Sequence, residues 1–275
     1  MKALLKISRP RFWMYTAGPF LLGYIGGLPT GWRSLYPLDF WLLFAYYLIP
    51  ANVLLYGIND WFDADTDALN DKKDTHEHRL ERTERRWLAT VLVVCAVISV
   101  VVMALLPPQA WLLQVLFIGL SVFYSAPPLR LKTWPTIDSY SNALYVIPGV
   151  IGYILTAGKF PPVLIVLAGV AWAAGMHAYS AIPDIEPDRN AGIATIAVML
   201  GKTGTLLFVG GNWLFFSLLT IWVIGSVGGI TLIYPLLIVF LLLRPQVSIT
   251  RVYWWLPVIN GLMGFAAFVY KTLLN

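Results

Sequence analysis

Apolar residues run in long blocks along this chain, and polar ones are confined to the stretches between them. Blocks can be marked at residues 12–28, 38–58, 87–106, 109–126, 138–157, 161–182, 204–227, 229–243 and 252–272. At about 1.5 Å rise per residue, roughly 20 helical residues cross the ~30 Å hydrocarbon slab, so most of these blocks can span it. The block at 229–243 is short and needs neighbours or local bilayer thinning. The pattern predicts an all-α, multi-pass transmembrane bundle of nine helices, forming one domain over residues 1–275.

Composition agrees. The chain is 59% hydrophobic and 12% charged, with a mean hydropathy of +0.72, whereas a soluble domain carries about 25% charge. Trp and Tyr gather near the ends of the blocks, where an interfacial belt places them. Cys95 stands alone in an apolar block, which excludes an internal disulfide and fits packing. The basic start, Met1 to Pro10, has no small-residue cleavage site and reads as a retained cytosolic end.

Charge fixes an orientation. With the N-terminus inside and nine spans, all of the 19 Lys and Arg residues except Arg33, Lys159 and Lys271 fall in inside segments. This positive-inside bias supports both the span count and a place in the cytoplasmic membrane. The net charge of +5 is therefore accounted for by topology, and nothing calls for a nucleic-acid partner.

Two acidic clusters interrupt the pattern. Asn59-Asp60-x-x-Asp63-x-x-x-Asp67 follows the second block and Asp184-x-x-x-Asp188 the sixth, both on the cytosolic side. An Asp at a membrane helix centre costs roughly 2.5–3.5 kcal/mol. Such groups are expected at a helix end, facing a wet cavity and neutralised, and they mark a functional site. If the second helix continues outward, positions 59, 60, 63 and 67 share one face within roughly 100°. Asp65 points away from it, and Asp184 and Asp188 again share a face. So many hard oxygens suit magnesium better than zinc, with water and substrate phosphate completing the shell. Arg9, Arg79, Arg130, Lys132 and Arg189 at the same surface can hold the remaining phosphate oxygens. A third cytosolic stretch, Tyr124-Ser-Ala-Pro-Pro-Leu-Arg-Leu-Lys132, adds two of these cations. The matching places of blocks two and six hint at an internal repeat.

A magnesium-bridged diphosphate beside an apolar, aromatic-rich cavity points to a lipid diphosphate. Metal ions take up charge as its C–O bond breaks, and an allylic cation is then shielded from water and steadied by aromatic faces.

At these residues the chain resembles the UbiA superfamily of intramembrane prenyltransferases. The two acidic motifs, the second with Arg189 and Gly192-Ile-Ala-Thr195 after it, are similar to the family's two. Tyr124 to Lys132 resembles a further one. The resemblance spans the chain. It implies a helical bundle with a central cavity and cytosolic cap loops, a prenyl diphosphate donor, and magnesium held by Asn59, Asp60, Asp63, Asp67, Asp184 and Asp188. On this reading Asp60, Asp63 and Asp184 are the catalytic carboxylates. Arg130, Lys132, Arg9, Arg79 and Arg189 support the diphosphate, and Tyr124 lines the site. Ser180 and Pro187 stand where many members have Lys and Gly, and the loop at 70–79 lacks a common Arg-Pro. The run Ile182 to Thr195 is most similar to the lycopene elongases, which implies dimethylallyl diphosphate as donor and lycopene or a related carotenoid as acceptor. The alternatives are an aromatic quinone precursor or polar isoprenoid acceptor and, more remotely, a cation-coupled transporter; the latter lacks broken helices with matching midplane acids. His177 lies near the face of Asp184, whereas packing fits it better than base catalysis. His76 and His78 read as solvated. Tyr15, Asn52, Tyr56 and Asn142 read as packing or interhelical glue rather than cavity lining.

Overall fold

A computed structural model describes the backbone of residues 2–29, 37–67 and 84–274, and the side chains of 4–29, 37–63 and 84–272. Asp65, Asp67, His76, His78, Arg79 and Arg82 therefore lie outside the described side chains. The helices are α1 (Lys2–Ile7), α2 (Met14–Gly27), α3 (Leu38–Leu48), α4 (Pro50–Asp67), α5 (Arg85–Val101), α6 (Pro108–Phe123), α7 (Ile137–Tyr140), α8 (Ile147–Ala157), α9 (Val163–Ala181), α10 (Ile185–Asn190), α11 (Ile196–Ile224), α12 (Ile233–Leu243) and α13 (Ile249–Val269). No strand occurs among the described residues. The helical stretches follow the nine predicted blocks, and among the described residues six helical segments are long and apolar enough to cross a membrane. The chain is an integral membrane protein.

Several spans are interrupted, which the sequence reading did not anticipate. The second breaks at Ile49 (φ −120°, ψ −67°), between α3 and α4. Pro50 lacks an N–H and disfavours helical geometry at the residue before it. The carbonyls beside the break are taken up locally, as apolar surroundings require. Asn52 Nδ2 donates to Tyr47 O (2.9 Å), Leu48 O (3.1 Å) and Thr16 Oγ1 (2.7 Å), and Thr16 Oγ1 donates to Tyr47 O (2.5 Å). Asn52 is thus interhelical glue. The fifth span is composite, with a 3-10 turn at Ser141–Tyr145 joining α7 to the approach of α8. In α11 the backbone bends at Gly201 (φ 65°), and only Gly adopts that conformation without strain.

The chain forms two compact units. The first holds residues 1–130, 147–160 and 264–275. There α2 crosses α8 at backbone contact: a Cβ added at Gly23 would collide with Gly149, and one at Gly152 with Phe20 O. Thr156 Oγ1 donates to Tyr24 O (2.8 Å) across the crossing. A buried polar chain links α3, α5 and α6. Tyr46 donates to Ser99 Oγ (2.9 Å), Gln114 Nε2 to Tyr46 OH (2.8 Å), and Tyr47 OH to Gln114 Oε1 (2.9 Å). Cys95 packs against Val53, Leu54 and Ile58, as expected.

The second unit holds residues 131–146 and 161–263. Its centre is Trp213 of α11, fully buried over Gly175 of α9, where a Cβ would meet the indole. Tyr179 stacks on that indole at 6.0 Å, and Tyr234 of α12 meets it edge-on at 5.2 Å. Tyr234 OH then donates to Asn260 Oδ1 of α13 (2.6 Å).

Candidate functional site

The first acidic cluster lies at the end of α4. Asp60 and Asp63 are only 1% and 5% exposed, so both carboxylates have been taken out of bulk water. Their helical spacing places them on one face with Asn59, as the sequence predicted. Asn59 Nδ2 donates to Ser125 Oγ at 2.9 Å. That bond brings the Tyr124–Lys132 stretch, at its first residues, onto the α4 face. Ser125 is itself buried, and Tyr124 beside it is half-buried.

Arg9 brings a cation to this face. Its Nη2 lies 3.1 Å from Asp60 Oδ1, and its guanidinium sits 4.7 Å from the centre of the Tyr56 ring. The left-handed backbone of Arg9 (φ 48°, ψ 71°) precedes the 3-10 turn Pro10–Phe12. This turn lies between α1 and α2, and the Arg9 side chain reaches Asp60 of α4. A buried carboxylate needs such a partner, because desolvation without one is costly. Arg9 thus supplies neutralising charge from the protein itself. Phe12 lies 6.1 Å from Tyr56 and 5.4 Å from Tyr15, so aromatic faces adjoin the cation. Tyr56 was read as packing, and its place under Arg9 was not legible. The available signal was its position four residues before Asp60, one helical turn away.

Arg130 sits at the end of the same stretch with a left-handed backbone (φ 41°), its N–H bonded to Ala126 O (3.1 Å). Lys132 follows in the 3-10 turn Leu131–Thr133 of the second unit and is 8% exposed. A lysine that buried is held by its surroundings, since an ammonium is strongly hydrated when free.

The second acidic cluster lies in the second unit. The 3-10 turn Ile182–Asp184 ends α9, Asp184 occupies the cap position of α10, and Asp188 is one turn on. Pro187 falls in the first turn of α10, where a missing N–H costs nothing. Both Asp residues are half-buried. Arg189 is exposed, and its Nη1 pairs with Glu186 Oε1 at 2.5 Å. That pairing was not expected of a residue assigned to phosphate. Among the described residues, no three His, Cys, Asp or Glu side chains gather closely enough to hold a metal by themselves.

One buried carboxylate went unassigned. Asp138 is 0% exposed and accepts Ser139 N and Ile196 N, both at 2.7 Å. A carboxylate at the start of an apolar block was the signal available for it. Asn142 Nδ2 donates to the Asp138 carbonyl (2.7 Å), so Asn142 is local glue.

The sequence profile of the UbiA prenyltransferase family matches residues 13–270. This chain belongs to the UbiA prenyltransferase family. It is accordingly an enzyme of prenyl transfer. Over 261 residues (95% of this chain, 94% of the relative) it is 46% identical to the lycopene elongase/hydratase of Halobacterium salinarum. It is 43% identical over 259 residues (94% of this chain, 84% of the relative) to that of Haloferax volcanii. A UbiA homolog from Archaeoglobus fulgidus, solved bound to DMAPP and Mg2+, superposes with a TM-score of 0.72 at 21% identity, covering 97% of this chain and 99% of that one. The UbiA fold is therefore shared over nearly the whole length.

Proposed function

We propose that this UbiA prenyltransferase moves the prenyl group of an allylic diphosphate, dimethylallyl diphosphate above others, onto lycopene or a related carotenoid. One prenyltransferase domain spans residues 1–275, in the cytoplasmic membrane, with its N-terminus and both acidic clusters on the cytosolic side. The observation that carries the chemistry is the burial of Asp60 and Asp63 together on one face at the end of a membrane helix. Similarity to lycopene elongase/hydratases along nearly the whole chain supports the acceptor class.

The donor set suits magnesium: amide and carboxylate oxygens with no thiolate or imidazole among them. Asn59, Asp60, Asp63 and Asp67 in the first cluster, and Asp184 and Asp188 in the second, would hold magnesium ions, each ion taking only a few of these oxygens and leaving places for water and phosphate. Bound there, magnesium supplies positive charge for the departing diphosphate. Arg130, Lys132, Arg79 and Arg189 bind further phosphate oxygens. Arg9 holds Asp60 in place through their ion pair, and adds its own charge to that edge. As the C–O bond breaks, the electron pair leaves with the diphosphate. The aromatic faces of Tyr56 and Tyr124 steady the allylic cation and exclude water. The acceptor alkene forms the new C–C bond, and the resulting cation loses a proton or captures water.

Membranes carrying the wild-type chain, Asp63→Asn or Asp184→Asn, given labelled dimethylallyl diphosphate, test the chemistry. Label should enter the lipid fraction only with the wild type; entry at the wild-type rate in either variant sinks the reading. Expression in a lycopene-accumulating host tests the acceptor, with a pigment gain of one or two five-carbon units expected. Unchanged pigment with a prenylated quinone instead moves the assignment to an aromatic acceptor.

A further inference from the structure

We propose that Asp138 is a positioning residue, registering the segment that bears Lys132 with the segment that bears Asp184 and Asp188. The proposal rests on the function proposed above. Residues 131–146 make a short excursion of the chain into the second unit, flanked on both sides by segments of the first. Lys132 stands near the beginning of that excursion and Asp138 at its middle. Asp138 Oδ1 accepts the N–H of Ser139, and Oδ2 accepts the N–H of Ile196, the first residue of α11. Ile196 lies just beyond Gly192-Ile-Ala-Thr195, which follows α10. Within that turn Ile193 N donates to Asp188 O at 2.9 Å. One backbone hydrogen bond, the chain from residue 193 to 196 and the Ile196 N–H thus connect Asp188 to the buried carboxylate, and the chain leads back from there to Lys132.

The neighbouring cap leaves the first N–H of α11 to Asp138. Thr195 already caps α11, its Oγ1 accepting the N–H of Val198 at 3.2 Å. A local side chain thus does the usual work there. The second acceptor comes from 58 residues away, and what it adds is a join between two segments. With both oxygens engaged by backbone donors, Asp138 is also set apart from the carboxylates assigned to metal. A carboxylate bonded to two N–H groups holds geometry tightly, because losing either bond leaves a buried donor unpaired.

Two variants of the full-length protein in nanodiscs test the role. Asp138→Asn puts an NH2 donor where an acceptor is needed. Ile196→Pro deletes the N–H that Oδ2 accepts and trims a buried side chain, at a first helical position following an extended residue (Thr195, ψ 165°), where Pro is tolerated. Each is expected to raise the KM for dimethylallyl diphosphate about tenfold with kcat changed much less, as loss of supporting contacts does. The concentration of magnesium plus inorganic pyrophosphate that half-saturates thermal stabilisation should rise by a similar factor. In a Lys132→Ala background, Asp138→Asn should add less than about twofold, because both changes disable one arrangement. Wild-type KM and half-saturation in a folded variant overturn the proposal. So does full multiplication of effects in the double variant, or loss of folding in both single variants, which assigns Asp138 to maintaining the fold. A wild-type chain that neither transfers label nor responds to magnesium pyrophosphate sinks the proposed function instead.

Discussion

Gly23 and Gly26 lie one turn apart on α2, yet Ala should have opposite effects at the two positions. At Gly23 the new Cβ would sit 2.9 Å from Gly149 Cα and overlap the Gly149 carbonyl. At Gly26 it would meet only Tyr153 Cδ2, at an ordinary 3.7 Å. Replacing helical Gly by Ala gains up to about 1 kcal/mol in either case, and that gain cancels in the comparison. What remains is the forced separation of α2 from α8. Overpacking costs about 1–3 kcal/mol. Parting the helices also weakens the Thr156 to Tyr24 hydrogen bond, worth about 1 kcal/mol. Gly23→Ala should therefore be roughly 2–4 kcal/mol less stable than Gly26→Ala. Equilibrium unfolding of the two purified variants in mixed micelles, followed by tryptophan fluorescence, measures this difference. Agreement within about 0.5 kcal/mol would refute the close crossing, since surface-like substitutions stay within that range. Because α2 begins beside Phe12 and Tyr15, Gly23→Ala should also lower transfer, while Gly26→Ala leaves it unchanged.

Three further outcomes follow from the geometry. Gln114→Leu removes a donor and an acceptor serving Tyr46 and Tyr47 in an apolar interior; chemical unfolding should register a loss of about 2–4 kcal/mol. Arg9→Met breaks the pair with Asp60 and should raise the donor KM at least about tenfold, since breaking a buried charge pair is strongly unfavourable; kinetics indistinguishable from wild type would separate Arg9 from the site. Chelation with EDTA should abolish transfer, with magnesium restoring it and zinc failing to, because the donors are hard oxygens; full activity in EDTA contradicts the assignment.

Spacing made the acidic faces readable in advance. Asp60 and Asp63 fall on one side of any helix that carries them, whatever else the chain does, and Asp184 and Asp188 are one turn apart for the same reason. The nine apolar blocks became helical stretches, and length and hydropathy alone determine which segments can leave water for lipid. These are local properties, set by helical pitch and by the solvent.

Partners lay beyond that reach. Arg9 meeting Asp60 depends on a left-handed turn at residue 9, and Ser125 meeting Asn59 on how one loop returns to α4. The break at Ile49 followed from Pro50, but only folding brought Thr16 to the carbonyls it freed. Asp138 reads along the chain as an isolated charge in an apolar block, and its meaning came from an amide 58 residues away. Helix type and exposure follow from each segment's own chemistry. Which buried charge faces which donor is decided by long-range packing, and no periodicity in the sequence encodes it.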